Sequence, residues 1–266
     1  MQPTASNAGR SEVRQAITMA IDRNRINHEL LSGTTVFDID SPLDVGWMAC
    51  EVEPFVFDPE AANALLDEAG WLDEDGDGVR EAHGVENVED GTKLSMTMNG
   101  YTGFDVLDLI ELAVQEDLAN VGIEVSIENQ EFAVIFGTWA DNSPRLLGDY
   151  DILIYDGGWF AEPGKDITNA YHPNNVPSAD LPGGDNFLRW VREDVGEWLD
   201  AGNSSPDMEV RRENYCKVAN ALREDVVVFP ILQFAEGSVY SVKMHGFTVS
   251  TWEYGTWDAE NWWLEE

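Results

Sequence analysis

The sequence is poor in basic residues. Lysine and arginine together number 15, against 51 aspartates and glutamates, and the formal net charge is −36. A surface this acidic repels phosphate backbones and anionic lipid headgroups, which argues against binding of nucleic acid or docking on an anionic membrane. Only four of the basic residues are lysines. This composition is typical of proteins from salt-loving microbes, where concentrated salt screens self-repulsion, and an ordinary acidic exported protein is the alternative.

Cysteines and long apolar runs are also scarce. The two cysteines, Cys50 and Cys216, lack the CxxC and His–Cys spacings of metal sites. The sequence leaves open whether they form one disulfide or remain two buried thiols. No apolar run approaches the length of a membrane span.

Catalytic signatures are missing as well. The sequence contains no GxSxG, HExxH, Walker or GxGxxG motif, and its four histidines share no ligand spacing. Among 51 carboxylates a glycosidase-like acid pair can be drawn anywhere, so such a pair predicts nothing. The sequence therefore favours a protein that is not an enzyme, and a carboxylate hydrolase remains as an alternative supported by the abundance of acids alone.

What the sequence does contain is an alternation of strand and helix signals. Between Lys93 and Trp159, the alternating segments KLSMTM, IEVSIE and YDILIYDGG are separated by the helical segments FDVLDLIELAVQEDLANVG and EFAVIFGTWAD. This order predicts βαβ units, and hence an α/β fold with a largely parallel sheet flanked by helices. Further helices are predicted at SEVRQAITMAIDRNRINHELLSG, at DPEAANALLDEAG, and near 187–201 and 206–224, with an apolar strand at 226–234.

The segment GWLDEDGDGVRE has the spacing of a calcium loop. Three aspartates alternate with other residues and a glycine follows at the sharp turn, although position twelve is Gly84 and not the usual bidentate glutamate. The predicted ligands of a structural calcium are Asp73, Asp75, Asp77, the carbonyl of Val79, and Glu81 through water. A tight connection without any ion, in which Asp and Gly accommodate left-handed backbone, is the alternative.

Five segments give the chain a family resemblance. In order they are VRQAITMAIDRNRI, SPLDVGW, FDPEAANALLDEAGWLDEDGDGVRE, YDILIYDGGWFAEP and VVVFPILQF. They resemble the later half of the extracellular solute-binding proteins of peptide-type ABC transporters, family 5, from about Ser11 to Leu264. The resemblance implies a periplasmic-binding-protein fold of two lobes around a cleft, an extracytoplasmic location with an anchor in a preceding segment, and an ABC permease as partner.

The resemblance also implies a domain organisation. It identifies residues 1–235 as the second lobe of a truncated chain, and residues 236–266 as a segment that returns to the absent first lobe. Left without that lobe, the aromatic tail would form an apolar patch for self-association, and packing on the present lobe is the alternative. Its rings are Phe247, Trp252, Tyr254, Trp257, Trp262 and Trp263.

A ligand site follows from the same resemblance. Peptide binders of the family carry an acid after a second-lobe strand in a W-x-x-D pattern, and that acid pairs with the α-ammonium of the ligand. GGWFAEP puts Glu162 at this place. Glu for Asp and a shortened spacing to the next proline depart from the pattern, so Asp156 or Asp166 are alternative equivalents. The predicted ligand-binding residues are Trp159, Phe160, Glu162, Asp156 and Trp47.

The predicted function is therefore capture of a peptide or similar small solute for import, with no cofactor required. An oligosaccharide or a metal chelate bound by the same fold remains an alternative, as does a calcium-dependent structural module.

Overall fold

The computed structural model describes residues 7–36, 39–43, 46–157, 164–234, 238–250 and 256–265. Its helices are α1 (Ser11–Ala20), α2 (Arg23–Arg25), α3 (Pro59–Glu68), α4 (Asp105–Ala119), α5 (Phe132–Ile135), α6 (Pro144–Leu147), α7 (Gly164–Tyr171), α8 (Glu193–Ser204) and α9 (Met208–Glu224). Its strands are β1 (Thr35–Val36), β2 (Trp71–Leu72), β3 (Glu81–Ala82), β4 (Ser95–Asn99), β5 (Glu124–Ile127), β6 (Ile152–Leu153), β7 (Gln233–Phe234), β8 (Met244–His245) and β9 (Trp263–Leu264). None of the helices in this described part is both long and apolar enough to cross a membrane.

The sheet that organises the fold has the strand order β5-β4-β6, and both pairings are parallel. Met96 and Met98 of β4 point into the core, and α4 buries Leu107, Ile110 and Val114. Alternating apolar residues in the strands and a helical apolar stripe between them are the pattern from which the βαβ unit was predicted. The predicted α/β fold class with a parallel sheet is confirmed.

Most of the buried apolar residues in the described part of the chain fall into two clusters. The first joins α1, α3 and α4 to the sheet and contains Trp71 and Leu118, both fully buried. The second joins α7, α8 and α9 and contains Tyr215 and Leu199. Cys50 packs against this second cluster and is disulfide-bonded to Cys216 of α9, with Cα atoms 5.5 Å apart. The question that the sequence left open is thereby answered in favour of the disulfide.

The first predicted helix is wrong in its length. The segment was predicted to run without a break to Gly33, but α1 ends at Ala20 and Ile21 is extended. The Asp22 carboxylate starts a second helix by accepting a hydrogen bond from the Arg25 backbone N–H. The backbone N–H of Asp22 donates to Asp117 of α4, and the Arg25 guanidinium pairs with the same carboxylate. A tertiary contact with α4 thus overrides the local helical preference.

Two further elements are shorter than predicted. The apolar segment at 226–234 contributes only Gln233 and Phe234 as a strand, paired antiparallel with β1. Pro230 lies within the segment and cannot donate to a ladder. The helix predicted over EFAVIFGTWAD ends at Ile135, and a separate 3₁₀ turn follows at Trp139–Asp141.

The last described segment pairs with itself. β8 and β9 are antiparallel, and the Phe247 ring lies 4.6 Å from that of Tyr240 and 5.5 Å from that of Trp262. Trp263 and Val239 are exposed. Trp252 and Tyr254 lie outside the described residues. The division at residue 235 and self-association through the tail both stay predictions.

Candidate functional site at the carboxyl edge of the parallel sheet

The three parallel strands end at one edge of the sheet. We call the residues that follow them, 100–104, 128–130 and 154–157, the carboxyl edge. A parallel bridge between Tyr101 and Gln130 extends the β4–β5 pairing into this edge. Ligands of open α/β sheets bind in the crevice outside the carboxyl ends of the strands, so this edge is where a binding site is expected.

Aromatic rings from several elements meet at this edge. The Tyr101 ring lies 6.3 Å from Phe104, 5.3 Å from Phe132 and 6.2 Å from Phe136, measured between centroids. The cluster continues from Phe136 to Tyr155 and from Phe104 to Phe234. We call these six residues the edge cluster: Tyr101, Phe104, Phe132, Phe136, Tyr155 and Phe234. Phe132 is 56% exposed and Tyr155 40% exposed. Contiguous exposed rings of this kind mark interaction or ligand-binding surfaces in soluble proteins.

The Asp156 carboxylate lies against the edge cluster. Asp156 follows β6, is exposed, and accepts a hydrogen bond from the Tyr101 hydroxyl. Burial, followed by the hydrogen bond and the charge of Asp156, raises the pKa of Tyr101 well above its ordinary value. Tyr101 therefore stays protonated and holds the carboxylate in place. The arrangement presents a fixed negative charge beside apolar rings, which suits a ligand with both a cationic and an apolar part.

A buried polar network lies beneath the edge. Glu111 of α4 is 1% exposed, and its Oε2 accepts a hydrogen bond from the Asn129 side chain. Asn129 in turn accepts from the Gly100 backbone N–H at 2.8 Å. A Cβ atom at Gly100 would lie 2.0 Å from Glu111 Oε1, so a larger residue there would displace the Glu111 carboxylate. The network ties the end of β4 to the end of β5.

Burial raises the pKa of Glu111, and the Asn129 hydrogen bond opposes this only in part. Sequence reasoning missed this residue. A signal was present, because Glu111 lies four positions after Leu107 and three before Val114, both buried on the same helix face.

The predicted ligand-binding residues have different outcomes. Trp159, Phe160 and Glu162 lie outside the described residues. Asp156 lies in the carboxyl edge. Trp47 is half-buried against the second apolar cluster, where its ring lies 5.8 Å from Tyr215 and 4.8 Å from the Arg211 guanidinium carbon. The ligand-binding role of all five stays a prediction. The edge cluster around Tyr101, the partner of Asp156, was missed because its rings come from distant parts of the chain.

The aspartate loop is the second candidate site. It lies between β2 and β3, which form an antiparallel pair. Asp73 accepts hydrogen bonds from the backbone N–H groups of Gly76 and Gly78, two glycines with positive φ. Asp77 accepts from the Val79 N–H and pairs with the Lys93 ammonium. The predicted Asp–Gly turn is thus present.

Three of the predicted calcium ligands are brought together in this loop. Oxygens of Asp73, Asp75 and Glu81 lie within 4.8 Å of one another. Asp77, a further predicted ligand, points to Lys93 instead.

A third candidate is a groove of 810 Å³ on α8 and α9, lined by Trp198, Glu213 and Lys217 among others. It is open to solvent, rimmed by charged side chains and contains none of the predicted ligand-binding residues. The carboxyl edge agrees better with the general position of ligands in parallel α/β sheets.

Comparison with known families matches residues 3–178 to "Bacterial extracellular solute-binding proteins, family 5 Middle". The chain belongs to this family. The match confirms the family resemblance predicted from the five sequence segments.

Curated relatives agree with this assignment. The oligopeptide-binding protein AppA of Bacillus subtilis is 26% identical over 253 residues, which cover 91% of this chain and 43% of AppA. The nickel-binding periplasmic protein of Escherichia coli is 25% identical over 225 residues, which cover 82% of this chain and 39% of that protein. The chain thus spans about two fifths of the length of these relatives, which are named binding proteins and not enzymes.

Solved structures show the same fold. Bacillus subtilis AppA in complex with a nonapeptide superposes with a TM-score of 0.75 at 22% identity, over 97% of this chain and 48% of AppA. A mannohexaose-bound periplasmic oligopeptide-binding protein of Thermotoga maritima gives a TM-score of 0.73 at 21% identity, over 94% of this chain and 47% of that one. The predicted periplasmic-binding-protein-like fold is confirmed.

Proposed function

We propose that this chain supplies one wall of the ligand cleft of an extracytoplasmic solute-binding protein that serves an ABC importer. Membership in family 5 supports the class of protein. The observation that carries the assignment of the wall is the exposed edge cluster at the carboxyl ends of the parallel strands. Ligand sites are concave, mostly apolar and aromatic, with a few fixed polar groups, and the carboxyl edge supplies both components of such a wall.

The ligand that fits this edge best is a peptide with a free amino terminus. Asp156 offers a carboxylate bonded to Tyr101, whose ring belongs to the edge cluster. A buried ammonium group needs a charged, hydrogen-bonding partner, and apolar peptide side chains gain by covering exposed rings. We propose Glu162, Trp159 and Phe160, which follow Asp156 in sequence, as further members of this wall, and Trp47 as a more distant one.

The relatives favour a peptide without excluding other solutes. AppA was solved with a nonapeptide, whereas the Thermotoga protein was solved with mannohexaose and the Escherichia coli relative is named for nickel. Aromatic rings also stack on sugars, so an oligosaccharide is the second candidate ligand. The net charge of −36 disfavours an anionic ligand of any kind.

The opposite wall of the cleft would come from the part of the relatives' length that this chain does not span. We propose that residues 1–235 form one lobe and that residues 236–266 contact the other. The exposed Val239, Trp263 and Leu264 on the self-paired β8–β9 segment support this arrangement, because they leave apolar surface to be covered.

The Cys50–Cys216 disulfide supports an extracytoplasmic location with an ABC permease as partner, because disulfides persist in oxidising compartments. Origin in a salt-loving microbe stays a prediction.

Calorimetry with four probes tests the function. The probes are an unmodified nonapeptide, the same peptide with an acetylated amino terminus, mannohexaose and the nickel–histidine complex. We expect only weak binding by the chain alone, with a Kd of about 1–10 mM, because one wall supplies part of the contacts. The unmodified peptide should bind at least about 5-fold more tightly than the acetylated one, which loses the charge-assisted hydrogen bond.

Matched variants locate the site. If Glu162 is the amine partner, Glu162→Gln should weaken binding of the unmodified peptide and leave binding of the acetylated peptide unchanged. If Asp156 is the partner, Asp156→Asn should have this effect. Phe132→Ser should weaken binding of both peptides. Phe57→Ser, which removes an exposed ring outside the edge cluster, should weaken binding of neither. An equal loss of affinity for both peptides in both acid variants would show that neither acid is the amine partner. Tight binding of mannohexaose alone would show that the ligand is a sugar and not a peptide.

A further inference from the structure

We propose that Asp73, Asp75 and Glu81 bind one calcium ion that fastens the aspartate loop to the base of the β2–β3 hairpin. We call these three residues the acid trio. The site is independent of the ligand cleft proposed above, so the two can fail separately.

The acid trio converges from two sides of the hairpin. Asp73 and Asp75 lie in the exposed loop after β2, and Glu81 begins β3, opposite Leu72 of β2. One carboxylate oxygen from each residue lies within 4.8 Å of the other two. Three like charges at this separation repel one another, and a divalent cation placed between them reverses the sign of the interaction.

Glu81 distinguishes the acid trio from an ordinary acidic surface. It is only 8% exposed, and its Oε1 is shielded from solvent and has no hydrogen-bond partner. Asp117, a carboxylate buried to a similar degree, is instead paired with Arg25 at 2.6 Å. A buried carboxylate without a donor or cation is strongly disfavoured. One oxygen of this carboxylate lies within 4.8 Å of oxygens of Asp73 and Asp75, and its Oε1 is left without a hydrogen-bond partner.

The Lys93 ammonium forms its ion pair outside the acid trio, although its charge also acts on Asp75. Lys93 pairs with Asp77, whose other oxygen accepts the Val79 N–H. Asp77 is thereby removed from the ligand set that the sequence spacing predicts. The loop spacing predicts that Glu81 contacts calcium only through water. In the fold, β3 runs back along β2, so Glu81 can bind the ion directly. It then takes the role of the closing carboxylate, which Gly84 at position twelve cannot fill.

Calcium fits this donor set better than magnesium. Calcium accepts six to eight oxygens in flexible geometry, so three carboxylates can be completed by waters and by the Val79 carbonyl. Magnesium demands a nearly ideal octahedron and gives up its waters reluctantly. Two of the three carboxylates are exposed, and a Kd of about 0.1–1 mM is expected, the range of extracellular calcium modules.

Calorimetric titration of the 266-residue chain with calcium chloride tests the site. The titration is made in about 1 M sodium chloride, so that general attraction to the acidic surface is screened. We expect one saturable calcium site, with magnesium at least about 10-fold weaker. Calcium should also raise the Tm of the chain in the same buffer.

Three single substitutions separate the acid trio from the charge of the loop. Glu81→Gln keeps the shape and should weaken calcium binding at least 10-fold. Asp75→Asn, which keeps the acceptor for the Asp77 N–H and changes only an exposed group, should do the same and covers the case in which the Glu81 variant does not fold. Glu74→Gln removes a neighbouring charge outside the acid trio and should change the Kd less than 2-fold. Equal weakening by all three, or no saturable binding in the parent chain, would overturn the proposal.

Discussion

The aspartate loop and the carboxyl edge each concentrate one kind of side chain, but they satisfy those side chains differently. In the loop, Asp73 and Asp77 are bonded to backbone N–H groups a few residues away. At the edge, Tyr101, Phe132 and Tyr155 come from three separate elements, and their rings remain partly open to solvent. The loop is built from local contacts and can be recognised in the sequence, whereas the edge is assembled only by the fold.

The loop helps to identify the family, whereas the edge carries the proposed function. The loop spacing belongs to the segments that identify the family, and its acids are engaged in turn geometry and in the proposed cation site. The edge carries the exposed apolar surface and the carboxylate on which the proposed ligand site depends. Changes at the loop should therefore act on stability, and changes at the exposed rings and the carboxylate of the edge on ligand affinity.

The largest expected effect is a loss of stability on substitution of Arg80, which ties the base of the aspartate loop to the core. Arg80 is 8% exposed, and its guanidinium donates to the carbonyls of Trp71 and Val121 and pairs with Asp67. Arg80→Met leaves two buried carbonyls without donors and should lower the free energy of unfolding by about 3 kcal/mol, measured by urea denaturation. Arg212→Met, which removes an exposed guanidinium bonded to the Ala49 carbonyl, is the matched control and should cost less than about 1 kcal/mol. Weaker peptide binding by the folded Arg80 variant would break the separation between loop and edge.

A smaller loss of stability is expected in the buried polar network beneath the carboxyl edge. Gly100→Ala places a methyl group 2.0 Å from Glu111 Oε1 and should destabilise by about 1–3 kcal/mol. The same substitution in a Glu111→Ala background should cost much less, because the atom it meets is gone. Gly183→Ala, where a Cβ meets nothing within 4 Å, is the control. An equal loss in both backgrounds would show that the two residues are not coupled.

The smallest expected effect is a pH dependence. Because burial raises the pKa of Glu111, its contribution to stability is complete below the ordinary value of 4.5 and is lost as pH rises through the raised folded-state pKa. The Tm of the parent chain relative to Glu111→Gln should therefore fall from acid towards neutral pH. Taking the difference removes the contribution of the other acids. A difference that does not vary with pH would contradict the raised pKa.

The predictable parts of the fold were those written in local periodicity. β4, α4 and β5 follow one another with alternating and helical apolar patterns, and α3 begins at Pro59, after the N-cap Asp58, within the segment that was predicted to be helical. The break at Asp22 could not be read in the same way. It depends on Asp117, 95 residues away, which engages both the Asp22 N–H and Arg25.

The candidate site was predictable only in part, for the same reason. The position of Asp156 after a strand was readable, and so was the spacing of the acid trio. The edge cluster was not, since its rings extend from Tyr101 to Phe234 and no periodicity relates them. The disulfide likewise joins cysteines 166 residues apart, and only the fold determines their distance.

The most direct test of the account is an NMR titration of the ¹⁵N-labelled chain with a nonapeptide that has a free amino terminus. The largest amide shift changes should fall at residues 100–104, 128–136 and 154–157, and residues 73–81 should remain unchanged. Shift changes concentrated in the aspartate loop or in the α8–α9 groove, or none up to about 10 mM peptide, would contradict the claim that the carboxyl edge faces the ligand.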